Sequence, residues 1–116
     1  MKSKEFVILI RKAIIDENEE IYRKLFDTTD PDSATDEYWK RALTLYNQLD
    51  EEAREILLEI VKQTMKDTIS NVFGLLDGVN WPESQQEGYH LQTESGREGR
   101  INGNLQDIFL QIEEEG

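Results

Sequence analysis

No cysteine occurs anywhere in the chain, and histidine occurs once, at His90. The first absence excludes disulfides, thiolate nucleophiles and cysteine-based metal sites, and it fits a reducing cytoplasm. The second excludes two-histidine metal motifs such as a helical HExxH. A serine–histidine–acid triad would have to use His90, and no serine stands in a nucleophile-elbow context. His90 lies between Tyr89 and Leu91 in an expected strand and reads as a surface residue. Long apolar runs are missing too. Residues 6–10 are apolar, but Arg11 and Lys12 follow at once. A secretory signal needs a longer uncharged stretch and a small-residue cleavage site. A membrane span needs about 20 apolar residues. The expectation is a mature, soluble, cytoplasmic chain with no catalytic residue, no metal and no cofactor.

Basic residues are few. Thirteen Lys and Arg face 25 Asp and Glu, a net charge of −12. Residues 1–27 are neutral, with six of each sign. Residues 28–78 hold five basic and eleven acidic side chains, and residues 79–116 hold two and eight. Such a surface repels phosphate backbones and anionic membranes, so neither nucleic acid nor membrane is expected as a partner. It favours solubility, and it steers a basic protein partner.

What is present is helical periodicity. At 116 residues the chain fits a single domain, residues 1–116, able to bury roughly two-thirds of its unfolded surface. The expected fold is mainly α (α+β): a three-helix bundle followed by a small β-hairpin and a C-terminal helix. The first helix covers residues 2–27, with Phe6, Ile10, Ala13, Ile14, Ile21 and Leu25 at three- and four-residue steps and Val7, Leu9 and Ile15 widening the stripe. The polar residues 16–20 mark a bend. Residues 28–34 form a loop whose Asp30-Pro31 signals a helix start. A second helix runs to Gln48 with Tyr38, Trp39, Ala42, Leu45, Tyr46 and Leu49 on its buried face.

The third and longest helix occupies residues 50–78, capped by Asp50 and stopped by Gly78. It carries apolar residues from Ala53 through Ile56, Leu57, Ile60, Met65 and Phe73 to Leu76. Gly74 inside it costs about 1 kcal/mol relative to alanine, which a close backbone approach from another segment would explain. Trp81 is expected to cover the bundle end. Tyr89, Leu91 and Thr93 alternate with polar residues as a strand, residues 94–96 turn, and residues 97–101 return. A last helix starts near Asn104, with Asp107 in capping spacing and Leu105, Ile108, Phe109 and Ile112 as its stripe.

Carboxylates are the commonest candidate functional groups. Glu51, Glu55 and Glu59 repeat at four-residue steps on one helix face, but no Glu-x-x-His accompanies them, as a two-metal bundle site would require. Asp30, Asp32 and Asp36 resemble fragments of a calcium loop, without its glycine at position 6 or glutamate at position 12. A solvated acidic face accounts for both. Arg97 and Arg100, among Gly96, Gly99 and Gly103, form the one basic island of the C-terminal third. They could bind an anion or pair with nearby carboxylates.

Two stretches carry a resemblance. One is residues 68–78, an apolar helix end closing in Leu76, Asp77 and Gly78. The other is residues 89–93 followed by residues 101–109. Together, over about the C-terminal half, they resemble small bacterial proteins that include immunity proteins of secreted toxin systems. The resemblance implies a small, acidic, non-enzymatic protein that binds one toxin domain; no functional residue carries over from it. The expected function is therefore an inhibitory binding protein that covers a basic, nuclease-type toxin. The acidic rim of Asp30, Asp32, Asp36, Glu37, Asp50, Glu51, Glu52, Glu55 and Glu59 is its expected contact. Two alternatives stand beside it: an anion- or small-molecule-binding subunit using Arg97 and Arg100, and a homo-oligomeric structural module.

Overall fold

The computed structural model describes residues 1–85 and 87–116. Its elements are α1 (Ser3–Ile10), a π turn (Arg11–Asp16), α2 (Glu17–Thr28), a short 3₁₀ turn (Pro31–Ser33), α3 (Glu37–Gln48), α4 (Glu51–Asp77) and α5 (Leu105–Glu115). The fold is mainly helical, and among the described residues no helix is long and apolar enough to cross a membrane.

The first helix is continuous but not uniform. Arg11 and Glu17, at the joins, keep right-handed helical dihedrals, so α1, the π turn and α2 make one rod. Val7 and Ile15 are both fully buried in one cluster. Eight residues apart, they would sit roughly 80° apart around a regular α-helix. The wider i→i+5 turn between them returns Ile15 to the face of Val7. Ile14 is turned outward in consequence and Ile21 is more than half exposed, which corrects the regular-period stripe that placed both in the core.

Two apolar clusters form, one toward each end of α4. In the first, Val7 and Ile15 meet Phe73 of α4, Ile101, and Leu105 and Phe109 of α5. The Phe73 ring lies edge-on to Phe109 at 5.7 Å. In the second, Phe26 of α2, Leu43 and Tyr46 of α3 and Leu58 of α4 pack together, with Phe26 stacked on Tyr46 at 4.9 Å. On α3 the buried face is Trp39, Ala42, Leu43 and Tyr46; Tyr38 and Leu45, expected inside, are exposed. The three-helix arrangement thus holds at one end, and α5 takes the place of α3 at the other. Glu113 of α5 ties the π turn to α4: it accepts from Arg11 Nε at 2.5 Å and lies 3.0 Å from Lys66 Nζ.

The result is elongated, about 50 × 34 × 26 Å with a radius of gyration of 17.9 Å, against roughly 13 Å for a compact chain of this length. Its accessible surface is 8312 Å², where a compact monomer of this mass exposes roughly 6,600 Å². Burial therefore falls short of the expected two-thirds.

The expected β-hairpin is absent: no strand occurs among the described residues. Residues 89–93 and 97–101 do approach, and Ile101 N–H donates to Leu91 O at 2.8 Å. The places of further ladder bonds are taken by a side chain. Asn102, 5 % exposed, accepts from Leu91 N–H at 2.8 Å and donates through Nδ2 to Leu76 O at 2.5 Å and Tyr89 O at 2.9 Å. An asparagine side chain offers donor and acceptor together, so it satisfies the two segments and the end of α4 without a sheet.

Capping follows the sequence at α4 but not at α3 or α5: Asp30, read as the start of the second helix, caps only the 3₁₀ turn, and α3 begins at Glu37 behind Asp36. Asp30, Asp36 and Asp50 accept from Asp32, Tyr38 and Ala53 N–H at 2.9, 2.9 and 2.8 Å, and Gly78 closes α4 at φ 82°. Asn104 makes no side-chain cap. Asp77 does that work from the end of α4, accepting from Gly103 N–H at 2.6 Å and Gln106 N–H at 2.8 Å. Gly74 is explained by side chains rather than by another backbone: a Cβ there would stand 2.5 Å from Asn80 Nδ2 and 2.9 Å from Gln106 Nε2.

Candidate functional site

The start of α4 is where acidic side chains gather around a concave surface. Asp50 ends its link to α3 as the cap, and Glu51 and Glu52 occupy the first turn, where the helix dipole favours negative charge. Glu51, Glu52 and Glu55 line an open hollow of about 630 Å³ together with Arg23, Asp27, Tyr46 and Arg54. α2 contributes Arg23 and Asp27, α3 contributes Tyr46, and α4 supplies the rest.

The basic groups of this hollow already have partners. Arg23 Nη1 donates to both Glu55 oxygens at 2.7 and 3.1 Å. That hydrogen bond lowers the Glu55 pKa and raises that of Arg23. Arg54 donates to the carbonyls of Tyr46 at 3.0 Å and Asn47 at 3.4 Å, satisfying the last turn of α3, and its guanidinium lies 4.8 Å from the Tyr46 ring centre. The Tyr46 hydroxyl donates to Asp27 Oδ1 at 2.5 Å. Burial first, and then the Asp27 carboxylate, push its pKa up to about 12, so it stays protonated at neutral pH. Glu51 and Glu52, by contrast, are exposed and make no ion pair among the described residues.

The expected acidic rim is divided rather than continuous. Glu51, Glu52 and Glu55 come together. Glu59 follows one turn later on the exposed side of α4. Asp36 lines a separate hollow beside Trp39 and Leu43, Glu37 a third beside Lys40 and Arg41, and Asp30 and Asp32 form the 3₁₀ turn. Asp30, Asp36 and Asp50 are occupied as caps, so their carboxylates are partly committed to the fold. Among the described residues no group of three or more His, Asp or Glu is placed to hold a metal ion.

Arg100 of the basic island is tied into its own loop. Arg100 donates to Asn102 Oδ1 at 3.1 Å and Tyr89 O at 2.8 Å, so it holds the loop rather than pairing with a carboxylate. Arg97 is exposed. The hollows described above include neither arginine nor Trp81, whose indole lies over the backbone of Gly78 and Gly88 and remains half exposed. His90 is exposed, with Nε2 3.1 Å from Gln92 Oε1.

Sequence reasoning missed Ile56 and Ile60, which stand 49 % and 57 % exposed beside the acidic residues. Both lie about 160° around α4 from the buried Leu58, so the face turned toward α2 and α3 leaves them outside. Arg23, Asp27 and Tyr46 carried no signal either, because only the packing of three helices brings them to Glu55. Comparison with protein-family models, with curated proteins and with solved structures returned no match.

Proposed function

We propose that this chain is a non-catalytic protein-binding protein, an immunity protein that neutralises a basic, nuclease-type toxin by covering its surface. The observation that carries the reading is the exposed side of α4. There Glu52 and Glu59 project beside the exposed apolar side chains of Ile56 and Ile60. Every other feature needed is general: a net charge of −12 accelerates encounter with a basic partner, and the surplus of exposed surface leaves area for an interface. Inhibition by coverage requires no reaction of its own.

The test is to co-express the chain with the product of the reading frame next to its own, and to measure binding and toxicity. A toxic basic product, neutralised by this chain and bound more weakly as salt rises, is the expected result. Reversing Glu51, Glu52 and Glu59 to lysine, with the capping Asp50 and the paired Glu55 left in place, is expected to weaken that complex about tenfold or more. Unchanged affinity at low and high salt would remove the electrostatic basis, and a neighbouring metabolic enzyme with no toxicity would end the immunity reading.

A further inference from the structure

We infer that α4 recognises a basic amphipathic helix of its partner, laid along the stripe of Glu52, Ile56, Glu59, Ile60 and Asp67. This rests on the binding role proposed above and narrows it to one kind of recognised element. At about 100° per residue, these five side chains fall on one face of α4, and all five are exposed. Ile56 and Ile60 lie one turn apart at its centre, and the stripe from Glu52 to Asp67 is about 22 Å long at the α-helical rise. That length matches four turns of a partner helix.

Charge decides the occupant. Lys66, seven residues after Glu59 and about 20° from it around the helix, is the cation bordering the stripe among the described residues, and Glu113 holds it. The basic residues of α4 point elsewhere: Arg54 to the carbonyls of Tyr46 and Asn47, Lys62 to Glu19 at 2.8 Å, and Lys66 to Glu113 at 3.0 Å. Glu52 and Glu59 make no ion pair among the described residues, and Asp67 is met only by its neighbour Gln63, at 2.9 Å. A second copy of the chain fits poorly. Parallel pairing sets each carboxylate against itself, and the antiparallel pairing that brings Ile56 to Ile60 sets Glu52 against Thr64 and Glu59 against Leu57, so no register gives the carboxylates a cation, while both copies carry −12. An anionic bilayer is repelled by the same groups. A helix with apolar residues at three- and four-residue spacing and Lys or Arg on its flanks satisfies both the isoleucines and the carboxylates.

The experiment titrates the full chain, isotopically labelled, with three synthetic probes of equal length. One is a lysine- and leucine-containing peptide with amphipathic helical periodicity, the second is its scrambled sequence, and the third is oligolysine. The periodic peptide is expected to bind at least about tenfold more tightly than the other two, with amide shifts centred on residues 52–67. Ile56→Lys and Ile60→Lys should each abolish the difference, and Ile14→Lys, exposed elsewhere, should leave it intact; these surface variants are checked for unchanged thermal unfolding. Equal binding of all three probes would overturn the helix-recognition inference and leave the basic-partner reading standing. Shifts centred on another surface would overturn it likewise. No binding of any basic probe would count against both. Self-association in sedimentation that Ile56→Lys removes would replace the partner by a second copy.

Discussion

Replacing Asn102 with alanine is expected to destabilise the fold by about 2–4 kcal/mol. The side chain is 5 % exposed and serves two backbone groups with no other partner described, the Leu91 N–H and the Leu76 carbonyl. It serves a third, the Tyr89 carbonyl, together with Arg100. A buried group left unsatisfied costs about 1–3 kcal/mol. The first two give about 2–6, and water entering beside the exposed loop brings this to the lower part of the range. For a chain of this length the loss corresponds to roughly 8–16 °C in the melting temperature. Urea unfolding followed by circular dichroism should show a lower midpoint at unchanged slope, and the Leu91 amide should exchange faster. Asn102→Asp should lose at least as much at neutral pH, because it turns an oxygen toward the Leu76 and Tyr89 carbonyls. A loss of less than about 0.5 kcal/mol, the range of ordinary surface substitutions, would refute the assignment of Asn102 as the tie between α4 and the loop.

The π turn and the Glu113 clamp give two further tests. Ile15→Ala should cost about 2–5 kcal/mol, as a fully buried isoleucine does, and Ile14→Ala beside it less than about 1; the reverse order in urea unfolding would refute the turn. For Glu113, burial opposes the charge, but the hydrogen bonds from Arg11 and Lys66 outweigh it and hold the pKa below the ordinary value. A depressed folded pKa stabilises fully above the unfolded value, about 4.3, and that stabilisation is lost as pH falls through the folded one. Glu113→Gln should therefore be less stable than the native chain at neutral pH, with the gap narrowing on acidification below about pH 4. A gap independent of pH would contradict the clamp.

The helices were legible because their punctuation is local. Asp50 and Gly78 need only their own neighbours to cap, and α4 runs from Glu51 to Asp77 as its caps foretold. The faces were less legible. A 3.6 period draws Ile14 inward, and only the π turn, a departure from that period, exchanges it for Ile15. Leu43 was hidden between the more conspicuous Trp39 and Tyr46. The hairpin failed because alternation in residues 89–93 records extended backbone, whereas a sheet needs a ladder, and here Asn102 supplants it. The cap of α5 could not be read at all, since Asp77 reaches it across 29 residues of sequence to Gln106. In the candidate site, the cluster of Glu51, Glu52 and Glu55 was legible from spacing. The exposure of Ile56 and Ile60 depended on which face of α4 turns toward α2 and α3, with Leu58 inside.

The two apolar clusters also differ in when a ribosome can supply them. Phe26, Leu43, Tyr46 and Leu58 have all been synthesised by residue 58, and they close short loops, which carry a small entropic penalty. Val7 and Ile15 are made first and yet wait for Ile101, Leu105 and Phe109; even Ser3 completes its hydrogen bond only with Ile101, 98 residues later. The nascent chain thus gains its α2–α3–α4 end while its N-terminal helix still shows an uncovered apolar face, a state open to chaperones and to misassociation. Only the synthesis of residues 101–109 brings Val7 and Ile15 their partners, and long-range closure of that kind is what slows folding.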